Sequence, residues 1–231
     1  MEINPDAQVF ALEMRRWLIR AVRFLAGEAG IDQFLDCGSG LPTVENTHQV
    51  AQRINPAANV VYVDNDPLVI AHGRALLEDN EHTHVVAADL RDPRKLMANA
   101  EVTRYLDLSR PLALMQCATI HHVEDHERPK QIMADYIDAL PSGSYVAMTH
   151  FYDPADGGQL TKMARALEQN LINTVGSGRC RTRAELSGFV EGLELVEPGM
   201  TRLVDWRPDA PVPTPLAEVH ELGIGVVGRK P

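Results

Sequence analysis

Apolar residues recur at Phe10, Met14, Trp17, Leu18, Ala21, Val22 and Leu25. That spacing of three and four lays one apolar stripe along a helix. Arg15, Arg16, Arg20 and Arg23 fall mostly off the stripe and read as a solvated face. The pattern then changes to short apolar runs at Gln33–Cys37, Val60–Asp64, Thr83–Ala87, Leu112–Cys117 and Tyr145–Thr149, which read as strands separated by helical segments. Three of those helices announce their starts. Asn46-x-x-Gln49 is a capping-box pattern, and Asp66-Pro67 and Asp92-Pro93 each place an N-cap acid before proline at the first helical position.

The last third reads differently. A helix is predicted over Leu160–Leu171, and Thr182-x-x-Glu185 opens a shorter one running to Phe189. Leu193–Trp206 and Gly223–Val227 read as strands, joined by a stretch holding Pro208, Pro211, Pro213 and Pro215. No crossover helix fits in that stretch, so these two strands should be antiparallel to each other. The expectation is an α/β fold with a doubly wound, Rossmann-like sheet of seven strands in a single domain. Five parallel strands are followed by a parallel/antiparallel C-terminal pair.

Composition narrows the function. Thirty-two Asp and Glu against 22 Lys and Arg give a formal net charge of -10, which argues against a binder of bare phosphate backbone and so against nucleic acid. The apolar run from Leu112 to Ile120 is interrupted by Gln116 and is too short for a bilayer, and MEINPDAQ lacks the regions of a signal peptide. Cys37, Cys117 and Cys180 are odd in number and far apart, as expected of a reduced cytoplasmic chain without a zinc signature.

The candidate chemistry sits at the strand ends. FLDCGSGLP, Phe34 to Pro42, runs a buried strand into an acid and a glycine turn. Gly38 and Gly40 allow backbone to approach a ligand closely. The second strand ends in Asp64, whose carboxylate can accept from a ribose diol, and the third closes with Asp89-Leu90. The dinucleotide fingerprint needs a third glycine where this chain has Thr43, and no Gly-Lys-Ser/Thr follows the turn. Asp36 and Glu45 flank it, a setting that suits a cationic cofactor better than a pyrophosphate.

These motifs resemble class I S-adenosylmethionine-dependent methyltransferases. GIDQFLDCGSGLPTVENTHQVAQ, VVYVDNDPLVIAHGRALL, AADLRDP, LELVEPG and the terminal GVVGRKP are similar to one bacterial methyltransferase-like family long known as a domain of unknown function. The resemblance runs from the first helix to the end of the chain. It implies one domain over 1–231, with 151–191 as a helical insertion on the substrate side, and S-adenosyl-L-methionine as cofactor. Gly38, Ser39 and Gly40 would face the amino-acid part of the cofactor, with Asp36 orienting the turn. Asp64 would hold the ribose hydroxyls with Asn65 beside the adenine, Asp89 and Leu90 would recognise the adenine edge, and Cys117 would line the pocket. Relatives usually carry a further segment before the first helix. If it covers the cofactor, this chain would bind weakly or need a homo-oligomeric or protein partner.

His121 and His150, which follow the fourth and fifth strands, are the candidate catalytic bases. His122 and His126 share a spacing of four, but Glu127-Arg128-Pro129 reads as a helix start, so no metal site is expected. Phe151, Tyr152 and Trp206 are expected to wall an apolar acceptor pocket. The predicted reaction is methyl transfer by in-line displacement to a small molecule. The rival is a non-catalytic S-adenosylmethionine- or S-adenosylhomocysteine-binding or regulatory protein, and a dehydrogenase is a third reading.

Overall fold

The computed structural model describes residues 5–42, 45–212 and 214–231; Thr43 and Pro213 lie outside them. Helix α1 spans Pro5–Arg23 and runs on into a π-helical turn, Phe24–Glu28. Strand β1 is Gln33–Cys37, followed by α2, Thr47–Ile54. Next come β2, Asn59–Asp64, α3, Pro67–Leu76, and β3, Thr83–Ala87. Short helices α4, Pro93–Met97, and α5, Ala100–Tyr105, lead to β4, Ala113–Cys117. Helix α6, Pro129–Ala139, precedes β5, Tyr145–Phe151.

The anticipated helix starts form. Asn46 and Gln49 complete their capping box. Asp66 and Asp92 accept from the backbone N–H groups of Leu68 and Lys95, 2.7 and 3.1 Å away, satisfying donors that a helix start leaves unpaired.

The insertion carries α7, Gln159–Val175, and α8, Arg183–Gly188. The predicted strand from Leu193 to Trp206 is broken into β6, Glu194–Leu195, and β7, Thr201–Arg202. Between them Pro198 offers no backbone donor and Gly199 takes a left-handed turn, so the ladder lapses. Strand β8, Gly223–Arg229, closes the fold. The sheet order is β3-β2-β1-β4-β5-β8-β6, with β7 also on β8. β1 to β5 are mutually parallel, and β8 is antiparallel to β5, β6 and β7. β6 and β7 therefore run with the first five strands, as expected of the C-terminal pair.

Helices pack on both faces. One core gathers Leu35, Leu114, Tyr136, Val146 and Val226 with α4, α5, α6 and α8. The other gathers Phe34, Val60, Met115 and Val227 under α1 and α2.

Two local readings are corrected here. Arg20 is not on a solvated face. It is buried, paired with Glu13 at 3.2 Å, and it donates to the carbonyls of Trp206 at 2.9 Å and Leu203 at 2.6 Å. The α1 stripe passes over the C-terminal segment, and those buried carbonyls need a donor. Trp206 does not wall a pocket either. It is fully buried beneath α1, with its ring centroid 5.4 Å from Trp17 and 6.0 Å from Phe24. Phe24 in turn meets Tyr145, the first residue of β5. Trp206 thus folds back toward the start of that strand, away from its carboxyl end.

Candidate active site

A cavity of about 620 Å³ opens at the carboxyl ends of β1, β4 and β5, where doubly wound sheets gather their ligands. Its floor holds Asp36, Gly38, Ser39 and Gly40 after β1, Cys117, Ala118, His121 and His122 after β4, and Phe151 at the end of β5. Phe10, Met14 and Leu18 of α1 form one wall, and Met163, Leu167 and Leu171 of α7 form another. The α1 stripe therefore has two uses. Trp17, Ala21, Val22 and Leu25 are core, while its first half faces the cavity.

The glycine turn is built as its sequence required. Gly38 has φ +67°, and a Cβ there would run into the Thr119 side chain. Gly40 has φ +63°, and a Cβ there would meet no atom within 4 Å, so its bare face is open to a ligand. The N–H groups of Gly38 and Ser39 donate to the Val63 carbonyl at 2.7 and 3.3 Å. That of Gly40 donates to Asp64 Oδ2 at 3.1 Å. Asp64 Oδ1 also accepts from the N–H groups of Asn65 and Asp66, at 2.8 and 3.0 Å. The acid that ends β2 therefore sets the turn that follows β1.

Asp36 is buried and accepts from Thr47 Oγ1 at 2.6 Å. Burial raises its pKa to about 6, although the Thr47 hydrogen bond and the nearby Arg15 guanidinium pull it down. Arg15 and Asp36 are the cationic and anionic side chains among the cavity's described lining residues.

Other expected site residues stand differently. Asp64, Asn65, Asp89 and Leu90 are not among the cavity-lining residues; they belong to the ends of β2 and β3. Asp89 is held by Arg91, whose Nε and Nη2 donate at 2.9 and 2.6 Å, and this hydrogen bonding holds its pKa below the usual carboxylate value. The Leu90 carbonyl accepts from Tyr136 Oη at 2.7 Å. Cys117 reaches the cavity, and burial raises its thiol pKa well above the ordinary value.

His121 lines the cavity, but His150 does not. His150 is fully buried. Its Nδ1–H donates to the Phe151 carbonyl at 2.7 Å and its Nε2 accepts from Arg181 Nη1 at 3.2 Å. Both nitrogens are occupied in the neutral form, and burial lowers its pKa to about 3. The expectation that it opens on the ligand edge is thus corrected. The side chain of a strand residue points to one face of the sheet, and here that face is filled by Phe189 and Arg181. Tyr152 packs on the same core and is also absent from the lining.

Sequence reading missed Ala118, Tyr62 and Thr47, which also line the cavity. Ala118 has φ +58°, a conformation that costs a non-glycine residue energy and that concentrates at functional sites. Only a backbone could have revealed it. Among the described residues, no group of three or more His, Cys, Asp or Glu side chains is placed to hold a metal ion, and no helix is long and apolar enough to cross a membrane.

A family model described as S-adenosyl methyltransferase matches residues 1–231. The chain belongs to the S-adenosyl methyltransferase family. A Thermobifida fusca YX protein classed with the methyltransferases has a crystal structure 44% identical to this chain, with a TM-score of 0.90, covering 98% of this chain and 83% of that one. A DUF574 family protein from Streptomyces avermitilis MA-4680 is 39% identical, with a TM-score of 0.89, covering 98% and 86%. The N-methyltransferase NodS from Bradyrhizobium japonicum WM9, crystallised with S-adenosylhomocysteine, covers 100% of this chain and 90% of its own at 12% identity and a TM-score of 0.56, a likeness of fold alone. No curated protein matches. The family's cofactor is S-adenosylmethionine, and the site suits it: a bare glycine face lies beside a buried acid, in a cavity whose lining is largely apolar.

Proposed function

We propose that this member of the family methylates a small, largely apolar molecule held between α1 and α7. The observation that carries this reading is the continuity of one cavity, from the Gly38–Gly40 turn to the side chains of Phe10, Met14, Met163 and Leu167. A concave, mostly apolar space with a few polar groups is what a small-molecule site offers. A substrate-side role for residues 151–191 is supported by α7, whose Met163 and Leu167 line the cavity; α8 instead packs Leu186 into the opposite core.

Gly38, Ser39 and Gly40 would lie against the amino-acid part of the cofactor, and Asp36, ionised above about pH 6, would face its positive charge. Asp64 Oδ2 accepts one backbone N–H and retains capacity for a ribose hydroxyl. Asn65 would lie beside the adenine. Asp89, kept ionised by Arg91, and the backbone of Leu90 would meet the adenine edge. Cys117 would line the floor, where its thiol stays protonated.

Bound there, the cofactor would supply a methyl carbon on a sulfonium to an acceptor lone pair, the carbon–sulfur bonding electrons passing to sulfur to leave a neutral thioether; an acceptor that carries a proton would lose it to solvent as the product leaves. The chain's own contribution is positioning and exclusion of water. The walls from α1 and α7 would hold the acceptor against the floor, and the largely apolar lining would strip its solvent.

The test is transfer of labelled methyl from S-adenosylmethionine into a metabolite extract. Label in the low-mass fraction supports this reading. Label confined to protein or nucleic acid overturns it, and binding without any transfer supports the non-catalytic alternative.

A further inference from the structure

His121 lies at the cavity floor, 3% exposed. Its ring centroid is 4.2 Å from that of His122, 4.4 Å from that of Phe151 and 5.8 Å from that of His150, the last edge-on. Nδ1 is sealed from solvent and has no hydrogen-bond partner among the described residues. A buried N–H without an acceptor is rarer and costlier than a buried lone pair. The proton of the neutral ring therefore belongs on Nε2, and Nδ1 keeps its lone pair inside the protein. Nε2 is not among the sealed, unpartnered atoms and His121 lines the cavity, so Nε2 is the nitrogen open to it; a base would need its free lone pair there, and this tautomer puts an N–H there instead.

We infer that His121 meets the methyl acceptor as a neutral hydrogen-bond donor from Nε2 and does not take its proton. The inference rests on the methyl-transfer reading and narrows it. The acceptor should carry an oxygen or nitrogen with a lone pair, such as a carbonyl, ether or ring nitrogen, beside its nucleophilic atom. Donation to the nucleophile itself would draw on the lone pair that the methyl carbon needs.

The surroundings agree. The titratable and charged groups bearing on His121 are His122 beside it, His150 on β5 and Arg181 before α8. Burial and these cationic or neutral neighbours lower its pKa well below the usual value for histidine. Arg181, itself buried, is held by Asp125 at 2.9 Å and by the Val123 carbonyl at 2.9 Å.

Two measurements test the inference on the full chain. The first is long-range proton–nitrogen correlation of the imidazole rings in ¹⁵N-labelled protein, with and without S-adenosylhomocysteine, with His121→Gln assigning the signals. The Nε2–H tautomer, still unprotonated at a pH where a free imidazole has become charged, is expected. An Nδ1–H tautomer, or an imidazolium forming near neutral pH, would overturn the inference.

The second compares labelled-methyl transfer into the low-mass fraction for His121→Gln and His121→Phe. Glutamine donates a hydrogen bond but cannot act as a base. It should keep activity within about fivefold, whereas phenylalanine should lose about tenfold or more. Equal losses in the two variants would overturn the donor role. Calorimetry with S-adenosylhomocysteine separates the failures. A chain that binds it but shows the wrong tautomer loses this inference alone. A chain that neither binds it nor transfers label loses the methyl-transfer reading and, with it, the role assigned to His121.

Discussion

The indole of Trp17 occupies the space that a side chain at residue 225 would need, since a Cβ on Gly225 would overlap its Nε1 and Cε2 atoms. The strand that pairs with β5 is bare there so that α1 can sit down on it. Gly223 does the same for Phe10 and Leu203, where a Cβ would lie 2.8 and 2.7 Å from their atoms.

Gly225→Ala should therefore cost about 1–3 kcal/mol, the usual range for overpacking a filled core. Because α1 also carries Phe10 and Met14 of the cavity wall, the variant should bind S-adenosylhomocysteine more weakly as well. Urea midpoints and calorimetry check both effects. An unchanged midpoint would mean that α1 docks by other contacts.

That relationship marks where sequence reading stops. The stripe from Phe10 to Leu25 was legible because helical periodicity is local. The glycines of β8 were not, because their reason is a helix two hundred residues away in sequence. The acids ending β1, β2 and β3 could be picked out because each follows a short apolar run, and parallel register brings those runs level. Arg20 was misread because an arginine off the apolar stripe is usually solvated, and only the returning C-terminal segment buries it. His150 was misread because proximity to a strand end does not fix which face its side chain takes. Lys230, in the terminal GRKP string, shows its purpose only in three dimensions. Its Nζ donates to the carbonyls of Ile137, Asp138 and Leu140 at 2.8, 3.0 and 2.6 Å, satisfying the end of α6.

Asp36 gives a pH prediction. Its pKa is about 6 in the folded chain against an ordinary 3.8, so the folded state holds the proton more tightly. Its contribution to stability is fully present below about pH 4 and is lost as pH rises through about 6. Asp36→Asn should remove that decline and stabilise the chain at pH 7.5 by about 2–3 kcal/mol. It should also weaken S-adenosylmethionine binding, since the variant cannot ionise. Urea titrations from pH 4 to 8 would show a flatter profile for the variant; parallel profiles would place the titration elsewhere.

Asp64 ties the turn after β1 to the end of β2. Asp64→Ala removes the acceptor for three backbone N–H groups and, on the proposed reading, for the ribose hydroxyls. Hydrogen bonds to a charged group contribute about 1.5–3 kcal/mol each. Affinity for S-adenosylhomocysteine should fall by about tenfold or more, with circular dichroism unchanged. Unaltered affinity in a folded variant would reject the ribose role.

The pairing of Glu13 with Arg20 gives the last prediction. Both are buried, and Arg20 also satisfies the carbonyls of Leu203 and Trp206, so a single guanidinium pins the C-terminal segment beneath α1. Among the described residues, Arg20→Ala leaves Glu13 with the exposed Arg16, at 3.6 Å, and takes the guanidinium donor from two buried carbonyls. Removing one partner of a buried pair typically costs about 3–5 kcal/mol, because a charge stays behind without compensation. Replacing both at once, Glu13→Leu with Arg20→Met, removes that stranded charge and should recover more than half of the loss. The Trp206 carbonyl would lose its guanidinium donor and the Leu203 carbonyl would keep the longer 3.4 Å bond from the Trp206 N–H, so recovery should be incomplete. A double-mutant cycle on urea midpoints measures this. If Arg20→Ala and the double variant are equally unstable, the carbonyl contacts account for the cost and the ion pair contributes little; if neither differs from the parent chain, the segment is held by the Trp17–Trp206 packing alone.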